Sequence, residues 1–264
     1  MEATGTTLAR ARAVRVPWPI PAAIGASWLL ALVAEATGKG EPLSHDALVH
    51  SGLPLGAALG IHLVAWQAMV AAMMLPTALP LIRLFSSVSR GHERPGVAMG
   101  AFLGSYALVW TGFGAAAFLG DVRLHHLVDA TPWLETHPWV IAGSTLALAG
   151  LFQFSSLKDR CLRECRHPAA FLMQHYRRRG VEAAFRLGMR HGLFCLGCCW
   201  ALMLVGFAAG VANLWWMAAL TALMAYEKVG RHGDRLVPVA GTAFIALSAL
   251  VLVHPGWLPQ LFGA

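Results

Sequence analysis

The sequence predicts an all-α fold, a polytopic membrane helix bundle of about seven transmembrane helices with the N-terminus cytoplasmic and the C-terminus external. Three observations predict it. Of the 264 residues, 57% are hydrophobic and only 12% charged, whereas soluble domains carry about 25% charged residues. Apolar runs recur that are long enough for a hydrocarbon core about 30 Å thick, which takes roughly 20 residues of helix. Lysine and arginine gather in alternate loops, as cytoplasmic loops require.

The chain begins with a predicted cytoplasmic tail, residues 1–17, carrying Arg10, Arg12 and Arg15. Pro17, Pro19 and Pro21 precede the first apolar run and no small-residue cleavage pattern follows, so this run reads as an uncleaved span. A single transmembrane domain then occupies 18–254, with spans at about 18–36, 57–82, 97–119, 138–157, 189–209, 213–229 and 236–254. The fifth and sixth are nearly continuous, and Gly206, Gly210 and Asn213 mark the turn between them. Residues 158–188 mix arginines with Phe171, Leu172, Tyr176, Val181 and Phe185, the pattern of an amphipathic cytoplasmic segment on the membrane surface. Residues 255–264 form an external tail.

Orientation follows from charge. All twenty lysines and arginines but Lys39 and Arg123 fall in the tail and in the second, fourth and sixth loops, which places those segments on the cytoplasmic side. The net charge of +7 is explained by these loops and an anionic lipid partner, so no nucleic acid is expected.

All five cysteines lie between Cys161 and Cys199. Cys161 and Cys165 follow the fourth span and share a helical face. Cys195, Cys198 and Cys199 open the fifth, one to three turns into the membrane. The two groups can meet across a helix hairpin at the cytoplasmic boundary, where reducing conditions keep thiols unpaired. Soft thiolates select Cu(I), zinc or iron–sulfur clusters. The expected ion is Cu(I), with zinc second, held by three or four of Cys161, Cys165, Cys195, Cys198 and Cys199. Because Cys198 and Cys199 point about 100° apart on a helix, Cys198 is expected to stand aside or to bind a second ion. Met73, on the stripe Trp66, Met69, Met73 of the second span, and Glu227, beside Lys228 at the end of the sixth, are the expected neighbours. Thiols must lose their protons to bind metal as thiolates, so affinity should fall as pH drops below neutrality.

The runs Trp66-x-x-Met69-x-x-x-Met73-Met74-x-Pro76, Gln153 with Lys158-x-x-Cys161-x-x-x-Cys165-Arg166-x-Pro168, and Gly192-x-x-Cys195-x-Gly197-Cys198-Cys199-Trp200-x-Leu202-Met203 resemble a bacterial family of predicted metal-binding integral membrane proteins. Gly210-x-x-Asn213-Leu214-x-Trp216-Met217 and Glu227-Lys228 extend the resemblance, which covers about residues 57–229. It implies a metal-binding protein of the bacterial cytoplasmic (inner) membrane, without a substrate or ligand set.

Other features are weaker. Asp121, His125, His126 and Asp129 in the expected third, external loop could bring carboxylates and imidazole onto one helical face, which is also the pattern of a wet interfacial helix. His62 and Gln67 are polar groups inside the second span and need partners. Glu227 and Lys228 read as a boundary ion pair or a snorkelling pair. No nucleotide-binding, nucleophile-elbow or haem-attachment motif occurs, and no catalytic residue is assigned. The leading function is metal handling or transfer through the cysteine cluster, with a metal donor protein as a possible partner. Two alternatives stand beside it: a non-catalytic accessory subunit contacting other membrane subunits, and a membrane thiol-redox protein using Cys195-x-x-Cys198.

Overall fold

The long apolar runs become helices, several of which start at a proline. The computed structural model describes residues 16–38, 45–49, 51–177, 180–209 and 213–257. In chain order the helices are α1 (Pro19–Ala36), α2 (His45–Val49), α3 (Leu55–Ser89), α4 (Pro95–Asp129), α5 (Pro132–Glu135), α6 (Pro138–Gln153), α7 (Ser156–Arg166), α8 (Pro168–His175), α9 (Val181–Ala208), α10 (Leu214–Val229) and α11 (Gly233–Val253). Pro95, Pro132, Pro138 and Pro168 each open a helix, where a missing N–H leaves no bond unmade. No strand occurs among the described residues. The fold is an all-α polytopic helix bundle.

By length and composition α1, α3, α4, α9 and α11 can cross a membrane. The pair α6 and α7 counts as a sixth if it is one span, bent by 64° at its break. The stretch expected as the sixth of seven spans, 213–229, is the 16-residue α10, shorter than those crossings. The N-terminal tail up to residue 15, Lys39, Arg178, Arg179, the expected turn at Gly210 and the tail from residue 258 lie outside the described residues.

Three expectations shift in detail. Helix α4 runs on to Asp129, so Asp121, His125 and His126 lie on its last turns rather than in a loop. The fourth apolar run breaks after Gln153, and Ser155 caps α7 by accepting from the Lys158 N–H at 3.1 Å. Across the basic interval 158–188 the chain forms α7, α8 and the start of α9, and Phe171 and Leu172 belong to one buried cluster with Phe85 and Phe102.

Small residues let the helices approach closely. On α9, a methyl group at Gly188 would collide with the Phe102 carbonyl of α4, so only glycine fits there. On α6 and α11, a methyl at Gly150 would stand 2.9 Å from the Gly241 oxygen, and Ser248 Oγ donates to the Gly143 carbonyl at 2.7 Å. Helix α3 contains Pro76, which cannot donate to the Ala72 carbonyl one turn back. The Trp28 indole N–H of α1 takes that carbonyl at 3.1 Å, so a freed acceptor is satisfied by a neighbouring helix. Gln67 likewise finds Ala107 O and Thr111 Oγ1 on α4. His62 is enclosed by Phe118, Phe207 and Trp66.

Candidate metal centre

Helix α7 buries one face at i, i+3, i+4: Lys158, Cys161 and Leu162, with Cys165 half-buried one turn on. The 64° bend before it lays that face across the end of the bundle, against α9. Gly197 of α9 receives the contact: a methyl there would stand 2.5 Å from Cys161 Sγ. From the α9 side come Cys195, Cys198 and Cys199, all buried.

The sulfurs approach across the two helices. Cys165 Sγ lies 3.9 Å from Cys198 Sγ, which lies 3.4 Å from Cys199 Sγ. All five cysteines are free thiols. Cys198, expected from the helical angle to stand aside, is the sulfur between the other two. Cys195 adjoins Cys198, whose Sγ donates to the Cys195 carbonyl at 3.2 Å, but its own Sγ also meets Tyr106 OH at 3.1 Å and Lys228 Nζ donating at 3.1 Å. Among the described residues no three His, Cys, Asp or Glu side chains already stand in a metal-holding arrangement. An ion drawing on these sulfurs would therefore have to pull them inward by rotamer changes.

A buried polar network frames the thiols. Lys158 Nζ is 2.7 Å from Glu227 Oε2 and also donates to the Cys198 carbonyl at 3.1 Å. Gln153 Nε2 donates to Glu227 Oε1 at 3.0 Å, and the Arg166 guanidinium donates to the Glu227 and Gly230 carbonyls. Glu227 thus ties α6, α7 and α10 together behind the cysteines. Glu227 and Lys228 are neither paired with each other nor snorkelling: adjacent helical residues diverge, and each is buried with its own partners. Lys228 Nζ also donates to Thr77 Oγ1 at 3.0 Å.

The other sequence candidates lie farther off. Met73 is fully buried, and its methyl end would come within 4.0 Å of a methyl at Gly206, about 10 Å along α9 from Cys199 by helical rise. Asp121 and His125, 3.5 Å apart, lie on α4 about 22 and 28 Å along the axis from Tyr106. Sequence reasoning missed Tyr106, Thr77 and His191. His191 was accessible in principle, four residues before Cys195, whereas nothing in the spacing marks Tyr106 or Thr77.

Long apolar helices with free thiols gathered at one end define a polytopic helical protein with soft donor atoms in its core. Over residues 63–251 the chain matches PpoB2, a copper chaperone family, and it belongs to that family. No curated protein and no solved structure matches it.

Proposed function

We propose that this protein is a membrane-embedded copper chaperone that takes Cu(I) as cargo through thiolates of α7 and α9 and hands it on. The observation that carries the reading is the approach of Cys165, Cys198 and Cys199 sulfurs from two separate elements, within 3.4 and 3.9 Å of one another. Sulfurs so placed need only small rotamer changes to converge on one ion, and thiolates favour Cu(I) over harder ions. Cys161 completes the donor set from the floor of the site, against Gly197. Membership of a copper chaperone family supports copper as the cargo, and the apolar helices support residence in a bilayer. Glu227 acts behind the site as the counter-ion of Lys158 rather than as a ligand, and Met73 lies deeper in the core. Zinc is the second candidate ion.

Copper measured in protein purified without chelator, beside a variant lacking all five thiols, tests this. Copper is expected in the first and absent from the second. Equal copper in both, or none in either, overturns the reading. The 3.9 Å approach of Cys165 and Cys198 across the two helices also suits a thiol-redox pair; a quantitative disulfide after rapid acid quench of cells would favour that function instead.

A further inference from the structure

We propose that His191 and Cys195 form a second, inner Cu(I) site, distinct from the sulfurs of Cys165, Cys198 and Cys199; the proposal rests on the copper reading above. The two residues are four apart on α9 and share a face. Both are buried, at 6% and 1% exposure, and His191 Nε2 has no hydrogen-bond partner among the described residues. A buried ring nitrogen left bare loses its water without compensation, which a metal ion would supply.

The ring is held in place. It stacks on Tyr106 at 5.4 Å and 23° and meets Phe171 edge-on at 5.7 Å. Gly188 and Gly192, on either side of it in the chain, let α9 close onto α4. Tyr106 carries its hydroxyl to Cys195 Sγ, so the residue that stacks on the imidazole also hydrogen-bonds the thiol.

Charge selects the ion. Cys195 faces the Lys228 ammonium, whose partners Thr77 and Cys195 bring no carboxylate. As the Cu–S bond forms, the Cys195 proton leaves to solvent and the neutral imidazole donates its Nε2 lone pair; copper stays Cu(I). The resulting thiolate–Cu(I)–imidazole unit carries no net charge beside Lys228, whereas a divalent ion would add a positive charge there. One thiolate and one imidazole also meet the demand of two-coordinate Cu(I).

The test uses the full chain loaded anaerobically with the Cu(I)–acetonitrile complex, reading copper per chain and the copper X-ray absorption fine structure. Wild type should show sulfur together with imidazole scattering. His191→Phe keeps the stacking and should lose the imidazole signature and one copper per chain, while the copper of the outer sulfurs remains. His191→Met should restore the copper with sulfur in place of nitrogen. An all-sulfur wild-type spectrum, or an unchanged spectrum and stoichiometry in His191→Phe, overturns the inner site alone. A wild type that takes up no copper overturns the copper reading as well.

Discussion

Glu227 shows at the scale of one residue why buried charge is retained near the thiols. Its carboxylate compensates Lys158, accepts from Gln153, and leaves its backbone carbonyl to Arg166. Removing one member of a buried pair strands the other, at about 3–5 kcal/mol. Glu227→Gln is therefore expected to lower unfolding stability by that amount in detergent, and more than Glu182→Gln, whose pair with Arg186 is exposed. Equal effects on the two would show that the buried pair contributes nothing special. The residue types here were legible in the sequence but their aims were not. A helical wheel gives Cβ directions 100° apart for Cys198 and Cys199, yet side-chain rotamers bring their sulfurs to 3.4 Å.

Among the elements, α7 matters most for the site. Its buried face is short, so it depends on the bend after Gln153 and on contact with Gly197 to bring Cys161 and Cys165 over α9. Gly197→Ala places a methyl 2.5 Å from Cys161 Sγ and must displace that sulfur or part the two helices. Overpacking of this kind costs about 1–3 kcal/mol, and copper affinity should fall together with stability. Retained affinity in a folded Gly197→Ala variant would mean that the α7–α9 approach does not set the site. The bend itself was hidden in the sequence because the apolar run continues through Phe154 and Leu157, and hydropathy averages over the break. The Ser155 cap was the available signal, and a single serine is too common to carry it.

Across the whole molecule, hydropathy made the bundle legible because lipid imposes one requirement on every span: an apolar surface with its backbone bonded internally. Helix lengths were less legible. Helices α3 and α4 run for 35 residues each, beyond their apolar runs, since a helix does not stop where the hydrocarbon does. Loop charge still predicts orientation: a reporter placed at Arg90–Arg94 should read as cytoplasmic and one fused after Ala264 as external. Both on the same side would contradict seven crossings and agree with six, the number reached when α6 and α7 count as one bent span.

The central claim is that α7 and α9 hold one copper site jointly. Copper per chain, measured after anaerobic purification of Cys161→Ser/Cys165→Ser beside Cys198→Ser/Cys199→Ser, tests it most directly. Because Cys165 and Cys198 sulfurs stand 3.9 Å apart across the two helices, losing either pair should empty the shared site to a similar extent. Wild-type copper retained in either double variant would contradict it.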